Sequence, residues 1–187
     1  MKTAIILHGM PSKEEYFDEE KPAQSNKHWL PWLQKLILKG ILTQTPEMPE
    51  PYKPVYEKWQ ETFGRFEVNK DTVLIGHSCG AGFLVRWLSE RKIKVGKVVL
   101  VAPWIDPRKE LTTGFFDFVI DHELVSRTDG LTILYSTDDE NVILDTVNIL
   151  REQLVNAQFQ EFVDKGHSCL SDMKTDKFPE LLDIIVA

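Results

Sequence analysis

Residues 76–80 read Gly-His-Ser-Cys-Gly, which is the sharpest chemical signal in the chain. The segment follows the aliphatic run 73–75 and precedes a pattern with helical spacing. A G-x-S-x-G at a tight strand-to-helix turn strains the backbone of its serine and lifts the hydroxyl off the carboxyl end of the sheet. The pattern therefore predicts that Ser78 is a nucleophile.

A serine hydroxyl needs a general base within hydrogen-bond reach, and a third group must hold that base. Enzymes with this turn carry serine, acid and histidine in that order along the chain. Two histidines, His122 and His167, follow Ser78. His122 stands between acidic neighbours in an irregular stretch and is expected at the surface. His167 follows Gly166 directly after the candidate strand 158–163, so we expect His167 to be the base.

The acid should follow the strand before that one, at 131–135. Asp138 and Asp139 are the two candidates there, and either could instead cap the next helix. A carboxylate in this place would orient the imidazole and stabilise its cation. We prefer Asp139, with Asp138 in reserve and Asp106 as a further rival.

An acyl-transfer site also needs donors for the oxyanion. One is the backbone amide after the nucleophile, that of Cys79, and the other comes from the loop after the first strand. In that loop Gly9 permits a close turn and the Met10 amide is the expected donor. The chemistry does not specify the side chains of His8 and His77, which are predicted to pack or to form hydrogen bonds.

The elements that position these groups follow from apolar patterns. Short aliphatic runs predict strands at 4–7, 73–75, 98–101 and 131–135, with weaker candidates at 41–43 and 158–163. Helical spacing is found at 29–37 (ending at Gly40), 56–66, 83–88, 142–154 and 178–185. Alternation of buried strands and helices indicates βαβ units and a mainly parallel sheet.

Two stretches interrupt this alternation. Four prolines make 44–54 an extended connection. Residues 104–126 form either a crossover helix or a lid over a pocket. Their aromatic residues are predicted to line an acyl pocket, with core packing as the alternative: Trp104, Phe115, Phe116 and Phe118.

Length and composition limit the alternatives. A chain of 187 residues fits one domain, expected to span 1–187. The net charge of −7 argues against nucleic-acid binding. Two cysteines are too few for a disulfide framework, and no metal-binding or nucleotide-binding motif occurs. No secretory or membrane-spanning segment is seen, so we expect a cytoplasmic protein. The chemistry expected of Ser78 and His167 needs no metal or cofactor, and we expect none.

With these residues in view, the chain resembles the small serine hydrolases of the α/β-hydrolase superfamily, a family that includes retinoblastoma-binding protein 9. The segments that carry the resemblance are His8-Gly9, 29–33, the proline-rich stretch before Trp59, 76–80, Asp139 with Val142, and Gly166-His167.

The resemblance implies a minimal α/β-hydrolase, with about six strands in the order 2-1-3-4-5-6 and helices on both faces. It also implies a triad of Ser78, Asp139 and His167. The family often has Asp-Pro where this chain has Asp139-Glu140, which leaves the choice between Asp138 and Asp139 open. An L-x-C-x-E motif is missing, so retinoblastoma protein is not expected as a partner.

We therefore expect a carboxylesterase-like serine hydrolase that cleaves a small ester, thioester or amide through an acyl-enzyme. Its partner would be a small acyl substrate, with no nucleic acid or membrane, and the protein would be a monomer or a homodimer. One alternative is a binding or regulatory protein that keeps the fold with little turnover. Another is a thiol-dependent transferase that uses Cys79.

Overall fold

A computed structural model describes residues 2–187. Six parallel strands form one sheet in the order β2-β1-β3-β4-β5-β6. The strands are β1 (Lys2–Leu7), β2 (Ile41–Gln44), β3 (Thr72–His77), β4 (Val98–Val101), β5 (Leu131–Ser136) and β6 (Gln158–Phe162). This is the strand order that the resemblance implies.

Helices cover both faces of the sheet. They are α1 (Lys13–Tyr16), α2 (Leu30–Leu33), α3 (Tyr56–Phe63), α4 (Cys79–Arg91), α5 (Asn141–Gln153), α6 (Leu170–Met173) and α7 (Pro179–Val186). Alternate residues of β1 belong to separate cores: Ile5 and Leu7 to the core that includes residues of α3, α4 and α5, and Ala4 and Ile6 to the core that includes residues of α2 and α7. Side chains of a strand point alternately to opposite faces, so a sheet covered on both faces needs the continuous apolar runs seen in the sequence.

The segment 29–37 differs from its prediction as a single helix. It forms one turn of α-helix, α2, followed by a 3₁₀ helix at Gln34–Lys39. The buried residues Leu30, Leu33 and Leu36 recur every three positions, which is the repeat of a 3₁₀ helix. The predicted end at Gly40 is confirmed, since this residue adopts a left-handed φ of 77°.

The connection 104–126 does not contain the crossover helix that was one of its two predictions. Residues 104–124 form turns and irregular backbone, and a 3₁₀ helix spans Val125–Arg127. Arg86 on α4 anchors this connection, because its Nη1 donates to the carbonyl oxygens of Gly114 and Phe115, each at 2.8 Å. The polar anchors replace the regular hydrogen bonding that a helix would supply.

Parallel strands bring their carboxyl ends to the same edge of the sheet. The residues just after β1, β3, β5 and β6 include His8, Ser78, Asp139 and His167. The topology thus places the predicted chemical groups above one edge. None of the helices between Lys2 and Ala187 combines the length and the apolar character that a membrane span requires.

Candidate active site

Ser78 occupies a strained turn between β3 and α4. Its φ of 53° and ψ of −119° lie outside the regions that non-glycine residues usually adopt. Strain of this kind costs about 1–3 kcal/mol and persists only where neighbours fix the backbone. The Ser78 amide donates to Val101 O at 2.9 Å, and its carbonyl accepts from the amides of Gly82 at 3.1 Å and Trp104 at 3.2 Å.

His167 is paired with a buried carboxylate. Its Nδ1 lies 3.1 Å from Oδ1 and 3.0 Å from Oδ2 of Asp139. The Asp139 side chain is 1% exposed and the His167 side chain 29%. A carboxylate at Nδ1 favours the tautomer with its proton on that nitrogen. The Nε2 lone pair is then available to accept a proton.

Asp138 holds the loop before His167 rather than the imidazole. Its Oδ1 accepts from the Gly166 amide at 3.0 Å and from the Ser136 hydroxyl. Ser136 Oγ in turn accepts from the Lys165 amide at 3.1 Å. The hydrogen bond from Ser136 lowers the pKa of the Asp138 carboxyl below its ordinary value of 3.8. The two adjacent aspartates therefore make different contacts.

Asp172 fixes the same loop from the other side, a contact that the sequence reasoning missed. Its Oδ2 accepts from the His167 amide at 3.1 Å and the Cys169 amide at 3.3 Å. Gly166 has a left-handed φ of 46°, and a Cβ there would lie 2.9 Å from Asp172 Cβ. A glycine is thus required both by the backbone and by the space available.

The loop after β1 carries the Met10 amide, the second predicted oxyanion donor. His8 accepts from the Met48 amide through Nε2 at 2.8 Å, so its Nδ1–H donates to Gly9 O, also at 2.8 Å. Gly9 O and the Met10 N–H belong to one planar trans peptide and point in opposite directions. His8 therefore sets the direction of the Met10 N–H. Among residues 2–187, neither the Met10 nor the Cys79 amide donates a backbone hydrogen bond.

Two cavities meet at Ser78, His167 and Met10, which line both of them. One cavity, called the apolar cavity because Trp104, Val142 and Ile143 line it, has a volume of about 230 Å³. Its other lining residues are Trp104, Val142, Ile143, Glu110 and Glu140. The polar cavity has a volume of about 260 Å³. Its lining includes Glu15, Gln24, His28, Cys169 and Ser171.

The predicted aromatic pocket wall needs correction. Trp104 lines the apolar cavity, but the three phenylalanines line neither cavity. Phe115 is fully buried against Trp59, with ring centroids 5.0 Å apart. Phe116 packs edge-on against Trp104, and Phe118 packs at the margin of the same core. The core-packing alternative describes all three phenylalanines.

The remaining candidates make structural contacts. The carboxylate of Asp106 accepts from the amides of Glu110 and Leu111, both at 2.9 Å. The exposed His122 bonds Gln153 O at 3.1 Å. Within residues 2–187, no group of three or more His, Cys, Asp and Glu side chains is arranged to hold a metal ion.

Several cavity residues gave no signal in the sequence. Glu15 and His28 line the polar cavity, and Asp172 contacts the His167 loop without lining either cavity. All three come from short helices or turns far from the G-x-S-x-G, and no motif links them to it. Val142 and Ile143 belong to the apolar pattern of α5, which predicts a helix and not a cavity wall.

A six-stranded parallel sheet in this order, covered by helices on both faces and carrying a serine at a strained strand-to-helix turn, defines an α/β-hydrolase fold. A family model for serine hydrolases matches residues 22–181. The chain belongs to the serine hydrolase family. Retinoblastoma-binding protein 9 is a member of the same family, which confirms the resemblance found in the sequence.

Individual relatives agree with this classification. The Bacillus subtilis (strain 168) protein named "Putative hydrolase YdeN" is 26% identical over 187 residues, covering 94% of this chain and 96% of that protein. The crystal structure of the ydeN gene product from B. subtilis is 24% identical and matches with a TM-score of 0.82, over 99% of this chain and 97% of that one. Est1E from Butyrivibrio proteoclasticus is 15% identical and matches with a TM-score of 0.64, over 99% of this chain and 85% of that one.

Proposed function

We propose that this serine hydrolase cleaves small carboxylic esters, thioesters or amides through an acyl-enzyme on Ser78. The observation that carries the proposal is the contact of His167 Nδ1 with both oxygens of Asp139, in a loop that borders the same two cavities as Ser78. An imidazole held in this way is a general base for an alcohol.

Each group has a distinct role in the proposed acylation step. The Ser78 oxygen attacks the substrate carbonyl while His167 Nε2 takes the hydroxyl proton, and Asp139 stabilises the imidazolium. The amides of Met10 and Cys79 donate to the oxyanion. Loss of one such donor typically costs about 3–4 kcal/mol of barrier.

The same groups complete the cycle. Collapse of the tetrahedral intermediate breaks the bond to the leaving group, which takes the proton from His167. Water then attacks the acyl-enzyme, again giving a proton to His167 Nε2, and Ser78 recovers its proton when the acid departs.

A fluorophosphonate probe tests the proposal, because it reacts with an activated serine hydroxyl. We expect covalent labelling at Ser78, detected by peptide mass spectrometry, and its loss in Ser78→Ala. Ser89→Ala is a matched control, since Ser89 is also a buried serine, on the helix that follows Ser78, and this variant is expected to retain labelling. A folded wild-type protein that resists the probe and hydrolyses no ester would instead favour a binding or regulatory role.

A further inference from the structure

The polar cavity contributes no group to the proposed steps other than those it shares with the apolar cavity. We propose that it binds an uncharged, hydroxyl-bearing part of the substrate, while the apolar cavity binds an apolar part on the other side of the scissile carbonyl. This inference rests on the proposed function and deepens it by naming a substrate class.

The sizes of the cavities indicate a substrate in two parts. Pockets that hold a whole drug-sized ligand measure about 300–1,000 Å³. The two cavities measure about 230 and 260 Å³ and meet at Ser78, Met10 and His167. A carbonyl bound to Ser78 would therefore extend one short substituent into each cavity.

His28 provides a neutral hydrogen-bond donor at the polar cavity. Its Nδ1 accepts from the Leu170 amide at 3.1 Å, which places the ring proton on Nε2. Burial, with the nearby Lys27 charge, lowers the pKa of His28 below its ordinary value of 6.5. The ring is therefore uncharged at neutral pH and has an N–H that the Leu170 contact does not use.

The charges around the polar cavity favour a neutral group. Glu15 is its acidic lining residue, and one oxygen of this carboxylate is paired with the buried ammonium of Lys27. That pairing reduces any attraction for a cation. Gln24 and Ser171 also line this cavity, and their side chains are uncharged and can both donate and accept hydrogen bonds.

An anionic substituent is disfavoured in both cavities. Within residues 2–187, neither cavity is lined by a lysine or an arginine. Glu110 and Glu140 border the apolar cavity and Glu15 borders the polar one. A carboxylate or phosphate in either place would lose water and gain no basic partner, which is costly.

Four esters, matched in their number of non-hydrogen atoms, test the inference. They are pentyl pentanoate, glyceryl monopentanoate, pentyl glycerate and glyceryl glycerate. The kcat/KM of each ester is divided by its rate constant for hydroxide-catalysed hydrolysis, which removes differences in intrinsic reactivity. Glyceryl monopentanoate and pentyl glycerate are the mixed esters, with one apolar and one hydroxyl-bearing part. We expect the corrected kcat/KM of one mixed ester to exceed that of each of the other three esters about tenfold. The preferred ester identifies the side of the carbonyl that enters the polar cavity.

Two histidine variants show whether this preference comes from the polar cavity. His28→Asn keeps an acceptor near the place of Nδ1 and suits the left-handed φ of 56° at this position, but lacks the Nε2–H donor. We expect the preference to fall to about threefold or less, the size of a neutral hydrogen bond lost. His122→Asn makes the same change at an exposed histidine and should keep the full preference. Thermal unfolding checks that both variants are folded.

Every other pattern overturns the inference. The inference is contradicted if pentyl pentanoate or glyceryl glycerate has the highest corrected kcat/KM, or if the four corrected values differ by less than threefold. It is also contradicted if His28→Asn keeps the wild-type preference. Ser78 labelling without hydrolysis of any of the four esters would overturn this inference alone. Absence of both labelling and hydrolysis would overturn the proposed function, and this inference with it.

Discussion

The imidazole of His77 donates from Nε2 to the backbone carbonyl of His167 at 2.8 Å. The two rings lie with their centroids 5.1 Å apart, and His77 is 2% exposed. His77 immediately precedes Ser78, so the residue next to the proposed nucleophile holds the backbone of the proposed base. The His77 side chain therefore links the backbone of the proposed base to the turn that carries the proposed nucleophile.

Replacement of His77 should lower kcat strongly and change the free energy of unfolding only slightly. His77→Leu removes the bond to His167 O, but it also removes the buried Nδ1, which has no hydrogen-bond partner. These two changes in stability oppose each other and are each about 1–2 kcal/mol. A displaced base is expected to reduce kcat about 10–100-fold, with KM within about twofold.

Steady-state hydrolysis of p-nitrophenyl butyrate, together with urea unfolding, measures both effects. His77→Gln is the matched variant, because its amide can donate from a similar distance, and it should recover most of the lost kcat. A wild-type kcat in His77→Leu would show that the His77–His167 bond does not position the base.

The two adjacent aspartates should differ sharply when each is replaced by asparagine. Asp139→Asn removes the charge at His167 Nδ1 and is expected to reduce kcat about 10³–10⁴-fold, as when the acid of a serine-protease triad is lost. Asp138→Asn keeps an oxygen for the Gly166 amide and should cost at most about tenfold. Single-turnover acylation of Ser78 measures the difference, and the opposite ranking would assign the acid to Asp138.

The sheet could be predicted from the sequence because its signals are local. Continuous apolar runs predicted β1, β3, β4 and β5, whereas β2 and β6 were only weaker candidates, and Gly40 marked the end of its segment. The apolar pattern of 29–37 led to a single helix, because spacings of three and four residues are mixed there and only the buried set reveals the 3₁₀ repeat. The position of this helical segment was predicted correctly, but most of it is a 3₁₀ helix and not an α-helix.

The candidate site was harder to predict wherever it depends on long-range packing. Motif and chain order single out Ser78 and His167. Nothing local separates Asp138 from Asp139, since the difference lies in contacts with residues 28 positions away. From its sequence, Phe115 could belong to a pocket wall or, as the stronger alternative, to the core, and its burial against α3 and α4 depends on the path of the whole 104–126 connection.

Close packing at Gly80 gives a further prediction. A Cβ at this position would lie 2.4 Å from His8 O and 2.8 Å from Leu7 O. Gly80→Ala should therefore push α4 away from the end of β1, at a cost of about 1–3 kcal/mol, and displace the loop that carries the Met10 amide. We expect a lower free energy of unfolding and at least a tenfold loss of esterase activity.

Gly64→Ala is the comparison for Gly80→Ala. Gly64 has a right-handed backbone, and the nearest atom to an added Cβ is Gln60 O at 3.0 Å. A smaller change in unfolding free energy is expected there, with esterase activity retained. If both alanine variants lost the same unfolding free energy and the same activity, close contact with Leu7 and His8 would not be the reason for the glycine at position 80.

Acid should destabilise the protein through its buried histidines. Burial lowers the pKa of His8, His28 and His77 below 6.5. The unfolded chain therefore binds protons that the native state does not, so the free energy of unfolding increases with pH, and the part that these histidines contribute is lost as the pH falls below about 6.5. Each such histidine contributes a slope of up to about 1.4 kcal/mol per pH unit.

Urea unfolding between pH 7.5 and 5.5 measures this slope. His77→Leu removes one of the three groups and should reduce the slope by about a third. A free energy of unfolding that stays constant over this range would mean that the three rings are protonated to the same extent in the native and unfolded states.

Both thiols should resist alkylation in the native protein. Cys79 is fully buried, and burial, with the nearby Asp106 charge, raises the pKa of its thiol. Burial and the Asp172 carboxylate raise the pKa of Cys169 to about 12, which leaves about one thiolate in 10⁴ at pH 8. Iodoacetamide at that pH should modify neither residue within an hour while esterase activity persists, whereas alkylation in urea should modify both. Rapid native alkylation of Cys79 with parallel loss of activity would instead support the thiol-dependent transferase, as would a Ser78→Ala variant that remained active.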